Sequence, residues 1–180
     1  FSSYRPSTSL TKPDSTTIIG SDDFLMANAH VAHNCTIGDK VLLANLATLA
    51  GYSEVHSEAV LSGMVVIHQF TRIGRLAMVG GLSAVIKDIP PFMLCVGRPA
   101  VIHGLNAVGM KRAGLPAPVR EEIKRAYRLL YREGLNVSNA LEAIVRECQS
   151  SEVKVIVEFV KSSKRGISAG IGQEEGGANE

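Results

Sequence analysis

The chain has 180 residues, enough for one or two compact domains, and 46% of them are hydrophobic, so it can bury a core. Charged residues make up 20% and the net charge is only +2, which excludes a disordered polyelectrolyte and gives no global argument for nucleic acid. Trp is absent, aromatics are 5%, and Gly is frequent at 17 residues, a mix that suits many short strands with tight corners.

From Ile19 onward, every sixth residue is aliphatic: Leu25, Val31, Ile37, Leu43, Leu49, Val55, Leu61, Ile67, Ile73, Val79 and Val85 follow in register. The next residue is usually small (Gly20, Ala32, Gly38, Ala44, Ala50, Ser62, Gly74, Gly80), as expected if small residues let the chain turn. Four residues after each aliphatic, small or β-branched types recur. A period of six is neither helical nor a simple alternation; it is the hexapeptide pattern of a parallel β-helix. Three hexads close one triangular coil, so twelve hexads predict about four coils stacked at roughly 4.8 Å.

The β-helix is assigned to 1–90, with clear coils from 18, and is expected to end at Asp88-Ile89-Pro90-Pro91, because proline removes ladder donors. An irregular connection over 91–115 is expected to lie outside the coils. Helical periodicity occupies 116–165. Pro116 and Pro118 open a first helix with Ile123, Ala126, Tyr127 and Leu130 on one face, closed by Gly134. Ser138 is read as the cap of a second helix carrying Leu141, Ile144 and Val145. Ser151 is read as the cap of a third, with Val155, Ile156, Phe159 and Val160. The Gly- and Glu-rich tail, 166–180, is expected to be disordered. The fold class is therefore a left-handed β-helix followed by a small α-helical domain.

Cys35, Cys95 and Cys148 form neither a metal knuckle nor a disulfide framework, which suits a reducing cytoplasm. No apolar run has the length of a transmembrane helix and no signal peptide is visible. The chain begins at Phe1 rather than Met and is read as a fragment.

The chemistry centres on Asn28-Ala29-His30-Val31-Ala32-His33-Asn34-Cys35. An imidazole near neutral pKa can take a proton from an attacking hydroxyl. Gly51 lies eighteen residues after His33, three hexads on, so it should stack on the same corner one coil away. A bare glycine there exposes its N–H. A base beside a bare N–H suits acylation of a hydroxyl, one removing the proton and the other holding the oxyanion. His68 and Gln69 add polar groups, and Gly80-Gly81 leaves open space for a groove. Lys111, Arg112, Arg120, Lys124, Arg125, Arg128 and Arg132 form a basic stretch that favours an acidic or phosphorylated partner, although a solvated helix face reads the same way.

These residues carry a family likeness. Segments NAHVAHNC (28–35), LAG (49–51), VIHQF (66–70), IGRLAMVGG (73–81), DIPPF (88–92), GRPA (97–100) and GLNAVGMKRAG (104–114) resemble the UDP-N-acetylglucosamine O-acyltransferases that begin lipid A biosynthesis. The resemblance implies a homotrimer with sites between subunits, an acyl carrier protein as donor, the 3-hydroxyl of UDP-N-acetylglucosamine as acceptor, and no cofactor or metal. It implies His33 as general base and Gly51 as oxyanion donor. His30, His68 and Gln69 would contact donor or acceptor, and Gly81 would sit where acyl length is set. Asn106 and Arg112 would meet acyl-pantetheine or nucleotide phosphates. Asn34 and Tyr52 complete the substrate-binding set and depart from the family's usual Asp and His; Val108 and Ala113 replace its common Glu and Arg. The family's upstream coils are missing from this stretch. Three other readings stay open: an inactive or scaffold fragment, the related UDP-glucosamine N-acyltransferase, and a zinc-dependent hydrating enzyme using His30, His33 and His56 or His68.

Overall fold

The computed structural model describes residues 16–173. Twelve two-residue strands follow one another at hexad spacing: β1 (Ile18–Ile19), β2 (Phe24–Leu25), β3 (His30–Val31), β4 (Thr36–Ile37), β5 (Leu42–Leu43), β6 (Thr48–Leu49), β7 (Glu54–Val55), β8 (Val60–Leu61), β9 (Val66–Ile67), β10 (Arg72–Ile73), β11 (Met78–Val79) and β12 (Ala84–Val85). Every third strand pairs in parallel, giving a left-handed prism with three faces. Face I is β1-β4-β7-β10, face II contains β2-β5-β8-β11, and face III is β3-β6-β9-β12.

The aliphatic of each hexad points inward; Ile37, Leu43, Leu49, Val55, Leu61, Ile67, Ile73, Val79 and Val85 are buried. The residue four positions later is a second inward position: Cys35, Val41, Ala47, Ser53, Ala59, Val65, Thr71, Ala77 and Ser83 are buried too. Ser53 and Ser83 fit because their hydroxyls donate to Ala50 O at 2.7 Å and Gly80 O at 2.6 Å. Ile19 and Leu25, expected inside, are 46% and 40% exposed. They belong to the first described coil, and among the described residues no coil lies beneath it.

The bend lies elsewhere than expected. The left-handed residue of each corner is the third after the aliphatic, and it is not glycine: Asn34, Tyr52 and Phe70 have φ of 59°, 61° and 62°. The small residue directly after the aliphatic answers a different need. A β-carbon on Gly38 would stand 2.6 Å from Ser57 N of the next coil. Close approach of stacked coils, rather than turning, requires it.

The prolines do not end the stack. Ile89 N donates to Arg72 O at 2.9 Å and Gly74 N to Ile89 O at 2.8 Å, so pairing continues through this stretch. The expected irregular connection is in fact ordered. β13 (Met93–Gly97) joins face II parallel to β11, and β14 (Ala100–Leu105) returns antiparallel on β13. Met93, Cys95 and Ile102 are buried, which is why this hairpin stays on the prism. Helix α1 (Ala107–Arg112) follows.

Three helices complete the chain: α2 (Ala117–Tyr131), α3 (Val137–Glu147) and α4 (Ser151–Lys161). Asn136, not Ser138, caps α3, its side chain accepting from Asn139 N at 2.8 Å. Ser150, not Ser151, is the N-cap of α4, and the capping carboxylate comes from α2: Glu122 Oε2 accepts from Gln149 N at 2.9 Å and Ser150 N at 2.8 Å. Val145 and Val155, expected on buried faces, are 55% and 39% exposed; Val153 and Val157 fill the α4 core positions. The stretch 166–173, expected to be disordered, packs on the prism: Ile167 bridges Asp88 and Gly170 bridges Ile102. The rest of the expected disordered tail, 174–180, lies outside the described residues.

A buried ion pair fastens α4 to face I. Asp88 accepts from Arg72 N at 2.8 Å, Arg72 Nε at 3.1 Å and Ser163 Oγ at 2.8 Å. The same guanidinium donates to Phe159 O at 2.9 Å and lies 4.4 Å from the Phe159 ring centroid.

Candidate active site

The corner between faces III and I repeats every eighteen residues, so it stacks His33, Gly51 and Gln69 in one column and Asn34, Tyr52 and Phe70 in the next. The backbone ladder fixes the stacking: Tyr52 N donates to His33 O at 3.1 Å, and Phe70 N to Gly51 O at 3.3 Å. The His33 imidazole lies directly on Gly51. A β-carbon there would stand 2.7 Å from His33 Cε1 and 2.8 Å from Nε2. Glycine is required at 51 by the ring, not by a left-handed backbone. Among the described residues no acceptor meets the Gly51 N–H.

His33 Nδ1 lies 2.8 Å from Asn34 Oδ1. An amide oxygen only accepts, so Nδ1 carries the hydrogen and Nε2 is left with its lone pair free. Asn34 makes this contact from a left-handed backbone, with φ of 59°. Tyr52 meets the imidazole edge to face, with centroids 5.3 Å apart, and stacks on Phe70 at 4.9 Å. Cys35, inside the same corner, donates to Ala50 O at 3.2 Å, and burial pushes its thiol above the ordinary value. It is core packing, not a second nucleophile.

The other predicted residues divide among the faces and edges of the prism. His68 and Gln69 are exposed on the coil above Gly51, with His68 Nδ1 3.1 Å from Gln69 O. His30 is exposed at the start of β3 on face III. Gly81 is exposed on the edge between faces II and III, where a β-carbon would meet only Gly63 O at 3.3 Å and Ser62 Cβ at 3.9 Å. Asn106 is buried beside the third edge: its side chain donates to Leu76 O and accepts from Gly109 N, both at 2.9 Å, capping α1. Arg112 is exposed in the last turn of that helix. One chain thus assembles His33, Asn34, Gly51, Tyr52 and Gln69, and leaves Gly81, Asn106 and Arg112 on other edges. Among the described residues no three His, Cys, Asp or Glu side chains converge as a metal site. The motif reading passed over Phe70, although its eighteen-residue spacing from Tyr52 places it beside the site.

A family model described as UDP N-acetylglucosamine O-acyltransferase, domain 2, matches residues 88–168. The acyl-[acyl-carrier-protein]–UDP-N-acetylglucosamine O-acyltransferase of Thiobacillus denitrificans is 43% identical over 152 residues, which cover 84% of this chain and 59% of the relative. That of Gloeothece citriformis is 44% identical over 147 residues, covering 82% and 53%. The solved UDP-N-acetylglucosamine acyltransferase from Campylobacter jejuni superposes with a TM-score of 0.79 at 30% identity, over 88% of this chain and 72% of that one. The chain belongs to the UDP-N-acetylglucosamine O-acyltransferase family. It spans between half and three fifths of the length of these two curated relatives. In family terms, the ring-on-glycine corner falls in the β-helix, upstream of the segment that the domain 2 model matches.

Proposed function

We propose that the chain carries the acyl-transfer site of an enzyme that moves a (3-hydroxy)acyl group from acyl carrier protein to the 3-hydroxyl of UDP-N-acetylglucosamine, the first step of lipid A biosynthesis. The observation that carries this reading is the His33 ring on Gly51 with Nδ1 held by Asn34. His33 Nε2 accepts the proton of the sugar 3-hydroxyl as its oxygen attacks the thioester carbonyl. The oxyanion forms against the Gly51 N–H. Collapse breaks the carbon–sulfur bond, and the departing carrier thiolate takes the proton back from the imidazolium. General base and oxyanion donor are each worth about two to three powers of ten in rate.

His30, His68 and Gln69 are assigned to donor and acceptor contacts beside the base, and Gly81 to acyl length, its open edge leaving room for a longer chain. Arg112 and Asn106 are assigned to the phosphate end of a substrate, Asn106 from its place at the head of α1. Their positions on other edges support a homotrimer in which one copy completes the site of the next. The exposed cations of α1 and α2 suit an acidic carrier protein. No helix among the described residues is long and apolar enough to cross a membrane, and the three cysteines are free and buried, which supports a reducing, cytoplasmic setting.

The test is transfer from 3-hydroxyacyl carrier protein to UDP-N-acetylglucosamine by the purified chain, with His33→Ala alongside. Acylated sugar nucleotide that disappears in the variant supports the reading. No product from a folded trimer sinks activity for this chain and favours the scaffold alternative.

A further inference from the structure

We propose that Tyr52 and Phe70 act together as positioning residues for the His33 imidazole, an inference that rests on His33 being the base. Three contacts bound that ring. Gly51 lies under its Cε1–Nε2 edge and Asn34 holds Nδ1. Tyr52 closes another side from 5.3 Å at an interplanar angle of 90°. Gly51 and Asn34 fix one edge and one nitrogen of the imidazole, and the phenol ring is the third wall of its site. Tyr52 is itself a left-handed residue at a partly exposed corner. Phe70 supplies the restraint: its ring stacks on Tyr52 at 4.9 Å and 21°. Phe70 is 52% exposed, so its burial does not account for an aromatic there. The stack runs in one direction, Phe70 against Tyr52 against His33, one coil per step.

The chemistry needs this wall because a base must hold its lone pair within hydrogen-bond reach of the hydroxyl, and small misplacements are costly. Aromatic faces offer no competing hydrogen bond to Nε2, unlike a polar neighbour. The role is therefore one of ring shape, and the Tyr52 hydroxyl has no part in it.

The test follows His33 directly in the purified chain, by NMR relaxation of its ring carbons and by the rate of its carbethoxylation, mapped by mass spectrometry. Tyr52→Ala and Phe70→Ala are expected to loosen the ring and speed its modification several-fold, whereas Tyr52→Phe and Phe70→Tyr keep both readouts at the native level. Phe70→Ala empties no core position, so folding survives at least one of the truncations. In the transfer assay Phe70→Ala is expected to lower kcat about tenfold with KM little changed. Native ring relaxation and reactivity in both alanine variants would overturn the proposal, as would Tyr52→Phe behaving like Tyr52→Ala. If the unaltered chain transfers no acyl group while the ring readouts respond as expected, the acyl-transfer reading fails, and the restraint of the His33 ring by Tyr52 and Phe70 stands without its catalytic consequence.

Discussion

The His33 imidazole rests on the α-carbon of Gly51, so close that a β-carbon at 51 would lie 2.8 Å from Nε2. The ring cannot keep its place over a methyl group, and Gly51 has no left-handed φ that alanine would strain. Gly51→Ala is therefore expected to fold while displacing the base and screening the amide beside it. The transfer rate should fall by about a hundredfold or more, the scale of losing an oxyanion donor. Steady-state kinetics and a thermal melt together check this; native activity from the variant would remove both residues from the mechanism.

Asn34 sets the tautomer of the base by accepting from Nδ1. Asn34→Asp keeps the acceptor and adds a charge that favours the imidazolium, so the acidic limb of the pH–rate profile should move to higher pH. Asp also tolerates the left-handed backbone of this position. Asn34→Ala should slow transfer about tenfold or more, because the ring loses its orienting acceptor. A pH series on the two variants separates charge from orientation.

Much of this corner is legible in the sequence, since an eighteen-residue separation in a six-residue repeat fixes which side chains stack. That arithmetic placed Gly51 on His33, and it would have placed Phe70 on Tyr52. It failed where the repeat stopped: a short alternation of buried Met93, Cys95 and Ile102 reads weakly beside two prolines, so the hairpin of β13 and β14 passed for irregular chain. Capping by Glu122 was out of reach for a different reason. Its partners lie 27 and 28 residues away, and local motifs register only neighbours.

Glu122 closes the N-terminus of α4 in place of a local cap. Its carboxyl is held below the ordinary carboxylate value, chiefly by the Ser150 N–H. A depressed acid contributes stability that is complete above its ordinary pKa and disappears as pH falls through the folded value. Glu122→Gln should lose about 0.5–1 kcal/mol at neutral pH, the low end for a helix cap because the site is solvent-screened. The difference from the unaltered chain should vanish in acid below the folded pKa. Denaturant titrations at neutral and strongly acidic pH check both halves; a pH-independent difference would show that the carboxylate's charge is irrelevant there.

Asp88 holds two separate segments with one buried carboxylate: β10, through the Arg72 backbone and guanidinium, and Ser163 just past α4. Its main chain also pairs with 166–168, accepting from Ser168 N at 2.9 Å. Removing the carboxylate leaves the largely buried guanidinium of Arg72 without its counter-charge, and breaking such a pair typically costs about 3–5 kcal/mol. Asp88→Ala is expected to lose stability on that scale. The loss should appear first in hydrogen exchange at the end of α4 and at Ser163, because these are the parts that the carboxylate and its Arg72 partner tie to face I. The β-helix amides of Leu43, Leu61 and Val79 should keep their protection, since their ladder does not pass through Asp88. A variant that weakens all of these amides equally would show the prism and the helices to unfold as one unit, and the carboxylate to be one of many contributors rather than the fastening between them.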